Sequence, residues 1–170
     1  VPTQVYPERV QRRTFRVVSR GKTLHMLTIQ SVEMQNFLSY SKATLVFNRT
    51  EPTLVIGENK STSGAVSNGS GKTALFEAVL YGLFGKTTSG RHGDNAVKAF
   101  ASDCIVTVRG DSNGVPFVIT RYRKHSIHKN KVNFIHNGKP IEGGTKRDTQ
   151  DIIEEVLNIN FDLILQTCYF

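Results

Sequence analysis

The sequence predicts an α/β fold with a mixed sheet, and three observations carry that expectation. A short apolar run, Thr53-Leu54-Val55-Ile56, ends at Gly57 and leads through a polar loop to Asn68-Gly69-Ser70-Gly71-Lys72-Thr73. A helical pattern over Lys72–Phe84 begins directly behind that loop. Farther on, Asp111-Ser112-Asn113-Gly114 and Asn137-Gly138 lie between strand-like runs, which is how antiparallel hairpins announce themselves.

The elements follow in order. Leu27–Met34 alternates apolar and polar residues, as a half-buried strand does. A second strand is expected at Ala43–Phe47, and Thr53–Ile56 reads as a buried third one feeding the loop. In the helix, Leu75, Ala78, Val79, Gly82 and Leu83 recur at three- and four-residue spacing and define the expected core face, with Gly85 as the stop. Residues 86–100 read as a loop. Cys104–Arg109 with Val115–Arg123 form the first expected hairpin, and Lys131–His136 opens the second. A helix over Asp148–Leu157 buries Ile152, Ile153, Val156 and Leu157, and Thr145 with Asp148 resembles a capping box. The apolar stretch Phe161–Phe170 is expected to be a strand. No internal repeats occur.

A chain of 170 residues accommodates one domain with a sizeable core. Only 21% of residues are charged, which argues against wholesale disorder. Cys104 and Cys168 match no metal or redox spacing, and a reducing, cytoplasmic setting fits them best. No apolar run approaches the ~20 residues a bilayer span needs, so no membrane partner is expected. The net charge of +8 points toward nucleic acid, yet residues 1–25 hold six basic side chains against one acidic. The remaining 145 residues carry 16 basic and 13 acidic side chains, so charge alone does not establish DNA binding. Residues 1–25 show no clear period and read as a basic tail, disordered or upstream of the natural start, for which Met26 is the candidate. The chain stops inside an apolar run, so it reads as the N-terminal piece of a longer protein.

The loop deserves a residue-by-residue account. The pattern Gly-x-x-x-x-Gly-Lys-Ser/Thr requires glycine five residues before Gly71, where Val66 stands. An insertion explains the mismatch: Gly57-Glu58-Asn59 joined to Gly69-Ser70-Gly71-Lys72-Thr73 restores a complete phosphate-binding loop, with Lys60–Asn68 extra and Asn59 and Asn68 competing for one place. Gly69 and Gly71 permit the positive φ and close backbone approach that an anion nest requires. The amides of residues 69–73, Ser70 among them, would face the phosphates at the helix N-terminus. Lys72 would set its ammonium between the β- and γ-phosphates of ATP as the catalytic cation, and the Thr73 hydroxyl would be a Mg²⁺ ligand. A Gly-rich surface loop that merely contains Gly-Lys-Thr is the plain alternative; the strand before and the helix after speak against it.

Two flanking elements are more specific: Asn36-Phe37-Leu38-Ser39-Tyr40 ahead of the second strand, and the helix Phe76-Glu77-Ala78-Val79-Leu80-Tyr81-Gly82-Leu83-Phe84-Gly85. With the phosphate loop between them, residues 26–170 resemble the N-terminal ATPase half of the SbcC-type subunit of DNA double-strand-break nucleases, bacteriophage recombination endonucleases included. The resemblance implies a P-loop NTPase of the ABC-ATPase head type, split by a long coiled coil and acting as a homodimer of heads around two ATP molecules. It further implies DNA as a non-specific partner, an SbcD-type metallonuclease subunit as another, and the host cytoplasm as the setting if the origin is phage. Ser39 matches the family serine that bonds near the nucleotide, whereas Leu38 stands where many relatives carry arginine. The family places a strand like Leu165–Phe170 just before a γ-phosphate-sensing glutamine, so Gln166 reads as a strand residue. No apolar run ending in Asp-Glu occurs, so the Walker B residues are absent and little hydrolysis is expected from this stretch alone.

Other clusters carry less. His125, His128 and His136 lack ligand spacing for a metal. Arg121, Arg123, Lys124, Lys129 and Lys131 form a basic cluster that would either track a phosphate backbone or face solvent. Glu77 is expected in a surface or packing role, and Asp94 and Asp103 have no evident partner. Competing functions are an SMC- or RecF-type DNA-binding ATPase without a nuclease and a small-molecule P-loop kinase; the antiparallel hairpins after the helix speak against the kinase.

Overall fold

The computed structural model describes residues 25–47 and 71–168. The alternation beginning at Leu27 becomes strand β1 (Leu27–Phe37), three residues longer than its clean pattern. Val32 and Met34 face the core at period two, and the next inward position would be Asn36. Asn36 instead takes a left-handed φ of 49°, which shifts the phase so that Phe37 is the buried residue. A two-residue turn at Leu38-Ser39 reverses the chain into β2 (Tyr40–Val46), pairing Phe37 with Tyr40.

The first predicted hairpin forms from β3 (Cys104–Ser112) and β4 (Val115–Arg123). Its turn residues Asn113 and Gly114 both have positive φ, the geometry that matches the twist of a two-residue hairpin. Asn137 and Gly138 repeat the device between β5 (Val132–His136) and the short β6 (Lys139–Ile141). The six strands lie in the order β2-β1-β3-β4-β5-β6, and all these pairings are antiparallel. The strand expected at Thr53–Ile56 lies outside the described residues, as do residues 1–24. His25 and Met26 are tied to the β3–β4 turn: the Met26 amide donates to Asn113 Oδ1 at 2.8 Å, the Met26 carbonyl accepts from the Asn113 amide at 2.8 Å, and His25 Nε2 lies 3.1 Å from Ser112 Oγ.

Helix α1 (Lys72–Phe84) has the predicted bounds. Its buried face differs from the expected stripe: Ala74, Glu77, Ala78 and Leu80–Phe84 are buried, while Leu75 and Val79 are only half-buried. The helix is enclosed on several sides in its second half, so a single 3.6-period stripe understates its contacts. It packs on β3, β1 and β4, and Gly82 provides the closest approach, since a Cβ there would lie 2.1 Å from Val108 Cγ2. Gly85 ends the helix at φ 73°, its amide bonded to the Tyr81 carbonyl.

Helix α2 (Lys146–Leu157) starts two residues before the expected position and covers β5. The predicted capping box is complete: Thr145 Oγ1 accepts from the Asp148 amide at 3.2 Å, and the Asp148 carboxylate accepts from the Thr145 amide at 2.8 Å. Ile153 and Leu157 are fully buried beneath it.

The expectation of a strand at Phe161–Phe170 is overturned, because Phe161–Cys168 is helix α3. Gln166 accordingly lies on a helix. Asn160 Oδ1 accepts from the Leu163 amide at 3.1 Å and starts the turn. Phe161, Ile164 and Leu165 then pack against the core at three- and four-residue spacing. Asp162, Gln166 and Thr167 interrupt the run, and its apolar residues at 161, 164, 165 and 168 carry helical spacing, so the period together with the flanking Asn160 was the signal for a helix.

Candidate functional site

The end of the phosphate loop sits where the β1–β2 turn meets the start of α1. Gly71 is the N-cap of α1 in the left-handed region, φ 86°. Ser39 and Tyr40 close over it: a Cβ on Gly71 would lie 2.9 Å from Ser39 Oγ and 3.2 Å from the Tyr40 hydroxyl oxygen. The Tyr40 hydroxyl donates to the Gly71 carbonyl at 3.2 Å. Both φ and space therefore demand glycine at this position. Lys72 follows as the first helical residue, half-buried, and Thr73 is exposed beside it.

Sequence separation makes this meeting informative, because Ser39 and Gly71 come from different elements and the fold brings them together. Of the expected nucleotide contacts, Ser39, Gly71, Lys72 and Thr73 lie in the described residues. Gly57, Asn59, Asn68, Gly69 and Ser70 lie outside them. Tyr40 was not singled out from the sequence; its one signal was its place directly after the Asn-Phe-Leu-Ser element.

The N-terminus of α1 also differs in construction from that of α2. Among the described residues no side chain caps it and no acidic residue stands in its first turn, whereas α2 carries a full capping box. A helix N-terminus without an acidic residue in its first turn suits an anion. The Gly71 cradle, the Lys72 cation and the Thr73 hydroxyl are a donor set that fits a Mg²⁺-nucleotide phosphate.

The predicted basic cluster does not survive as a unit. Arg121 is 4% exposed, on the inward face of β4 after Phe117 and Ile119. Its guanidinium donates to the carbonyls of Gly82 at 2.7 Å and Leu83 at 2.9 Å, and to Gln150 Oε1. It thus satisfies carbonyls at the C-terminus of α1 that have no intrahelical partner, and it complements the negative end of the dipole. Burial draws its pKa down to about 10, against the opposing pull of Tyr81 and Glu154, so it stays charged at neutral pH. The signal was the period-two series Phe117, Ile119, Arg121, which puts an arginine where an apolar residue belongs. Arg123 pairs with Asp94 at 2.6 Å, and Lys124 reaches the same carboxylate at 3.5 Å. Lys131 pairs with Glu142 at 2.9 Å.

Asp94 and Asp103 therefore both have partners, contrary to the sequence expectation. The hydrogen bond from Arg123 holds the Asp94 carboxyl below its usual range. The Asp103 carboxyl is held down chiefly by the Ser126 amide, which donates to it at 2.6 Å. Glu77 is not on the surface: it is 3% exposed and accepts from the amide and hydroxyl of Thr88, fastening the loop after α1. His125 meets the Tyr122 ring edge-on and His128 lies tilted against it, and His125 Nδ1 accepts from the amides of Ile127 and His128. Among the described residues no group of His, Cys, Asp or Glu could hold a metal ion. No helix among them is long and apolar enough to cross a membrane.

Comparison with known proteins bears on the family and the fold. The chain is 25% identical over 144 residues to the DNA double-strand break repair Rad50 ATPase of Sulfolobus acidocaldarius, a match covering 83% of this chain and 15% of that protein. It is 24% identical over 143 residues to the Rad50 ATPase of Methanococcus maripaludis, covering 84% of this chain and 13% of that one. The chain thus spans about 15% or less of the length of these relatives. A solved structure of the recombination mediator protein RecF-ATP is similar with a TM-score of 0.50 at 18% identity, covering 70% of this chain and 30% of the other. That likeness concerns the fold, the N-terminal part of a P-loop ATPase head. The AAA_23 model, described as an AAA domain, matches residues 31–169, and the chain belongs to this AAA-domain family.

Proposed function

We propose that this chain is the nucleotide-binding N-terminal lobe of a DNA-repair ATPase of the SbcC type. The observation that carries the reading is the cradle at Gly71: a positive-φ glycine, pressed by Ser39 and Tyr40, opens a helix whose first residues are Lys72 and Thr73. In this reading ATP and Mg²⁺ bind an interrupted loop made of Gly57, Asn59, Asn68, Gly69, Ser70, Gly71, Lys72 and Thr73, with Ser39 at its edge. Lys72 neutralises charge on the β- and γ-phosphates, and the Thr73 hydroxyl helps hold the metal. Paired heads then close on two nucleotides and gate DNA to an SbcD-type metallonuclease. DNA contact is non-specific and made through phosphates, so it weakens as salt rises.

Lys72→Ala in the full-length protein is expected to abolish binding of a fluorescent ATP analogue in the presence of Mg²⁺. An unchanged titration curve would sink the assignment. The likeness to the RecF-ATP structure favours a second reading, a DNA-binding ATPase with no nuclease partner. ATP-stimulated nuclease activity in a co-purified complex supports the first reading. DNA binding coupled to ATP, with no nuclease in the complex, supports the second.

A further inference from the structure

The turn between β1 and β2 is strained and heavily anchored, although it is short. Asn36 and Leu38 are both in the left-handed region, at φ 49° and 48°, which Asn tolerates and which strains Leu. Strain of this kind persists only where the surroundings hold it. Here the Leu38 amide donates to the Ala96 carbonyl at 2.9 Å, and the Lys98 amide donates to the Asn36 carbonyl at 2.8 Å. The Asn36 side chain donates to the Ser102 carbonyl at 2.7 Å. Phe37, fully buried, sets its ring 5.1 Å from that of Tyr81 on α1. The turn is therefore fixed against the segment 96–102 on one side and against α1 on the other.

The direction in which this bracket points is the informative part. Phe37 pairs with Tyr40 across the turn, and exposed Ser39 and half-buried Tyr40 both reach Gly71. The Tyr40 hydroxyl donates its proton to the Gly71 carbonyl, and that same carbonyl accepts from the Ala74 amide at 3.0 Å in the first turn of α1. One oxygen thus joins the bracket to the helix start. Fixing that peptide fixes the direction of the next N–H group, which belongs to Lys72.

We propose that Tyr40 is a positioning residue of the phosphate site, its hydroxyl holding the Gly71 peptide so that the loop end meets a nucleoside triphosphate already oriented. The inference rests on the phosphate-loop reading given above and adds a residue to it. Tyr40 acts through Gly71 and does not touch the nucleotide. The mechanism is preorganisation: a loop held in its bound geometry spends less ordering free energy when the ligand arrives.

The test is Tyr40→Phe in the full-length protein, which keeps the ring and removes the hydroxyl. The readouts are titration with a fluorescent ATP analogue and Mg²⁺, steady-state ATP turnover, and the melting temperature without nucleotide. Loss of one hydrogen bond to the loop is expected to weaken nucleotide binding about five- to tenfold and raise KM for ATP, with kcat kept within about twofold and the nucleotide-free melting temperature unchanged. Wild-type affinity in Tyr40→Phe, while Lys72→Ala still abolishes binding, overturns this inference and leaves the phosphate-loop reading standing. Normal binding by Lys72→Ala overturns that reading and this inference with it. A fall in melting temperature that accounts for the affinity loss makes Tyr40 a structural residue and also overturns the proposal. Tyr40→Ala is expected to weaken binding further than Tyr40→Phe; equal affinities would place the effect in the ring rather than in the hydroxyl and count against it.

Discussion

The Arg121 guanidinium donates to the Gly82 carbonyl at 2.7 Å, joining the middle of the sheet to the last turn of the helix whose first turn carries Lys72. The same side chain bonds Leu83 and Gln150, so β4, α1 and α2 share one buried cation. Gln150 closes the arrangement by donating to the Leu83 carbonyl at 3.1 Å and to Glu154 at 2.7 Å. The network holds the C-terminal end of α1 against the sheet and α2.

Arg121→Met keeps the aliphatic length and removes all donors. It leaves the Gly82 carbonyl and Gln150 without their partner in a buried site, which costs about 2–4 kcal/mol. Urea denaturation is expected to show a lower midpoint with an unchanged slope. Arg121→Lys is expected to recover only part of the loss, because an ammonium cannot present two fixed donors to neighbouring carbonyls. Full stability in the methionine variant would show that the network contributes nothing.

Gly82→Ala tests the helix–sheet approach. The added methyl would lie 2.1 Å from Val108 Cγ2, so either the helix or the strand must move. Overpacking of this kind costs about 1–3 kcal/mol, offset by about 1 kcal/mol of better helix propensity. Val108→Ala in the same chain restores room, and the double variant is expected to lose less than the sum of the two singles. Strict additivity would mean that the contact is relieved elsewhere.

Acid stability follows from the two aspartates. Folding holds the Asp103 carboxyl down through the Ser126 amide, and the Asp94 carboxyl down through Arg123. A group depressed by folding contributes stability above its unfolded pKa of about 3.9 and loses it as pH falls through the folded value. The melting temperature is therefore expected to be level between about pH 7 and pH 5 as far as these groups are concerned, and to fall below about pH 4. Asp103→Asn is expected to make that acid limb shallower than in the unsubstituted chain. An identical limb in both proteins would remove Asp103 from the account.

The sequence by itself determined the local elements, because their causes are local. Asn-Gly pairs dictate tight hairpins through positive φ, Gly85 stops α1, and Thr145 with Asp148 starts α2; each needs only neighbours a few residues away. The Asn-Gly-Ser-Gly-Lys-Thr segment reads as a phosphate loop on equally local grounds, since anion nests are built from consecutive residues. Phe161–Cys168 reads as a strand only while its polar residues Asp162, Gln166 and Thr167 are passed over; apolar positions 161, 164, 165 and 168 have the spacing of the helix it forms.

Only the tertiary structure decided which charges and polar groups meet. Arg121 looked like one member of a basic surface cluster until the pleat of β4 turned it inward beneath α1. Asp94 found Arg123 across 29 residues of chain, and Tyr40 found Gly71 across 31. Contacts at such separations depend on strand register and on where a helix lands, and neither is written in the composition of the residues that touch. The phosphate loop was named by its own residues, whereas the bracket that closes on its last glycine was assembled by the fold.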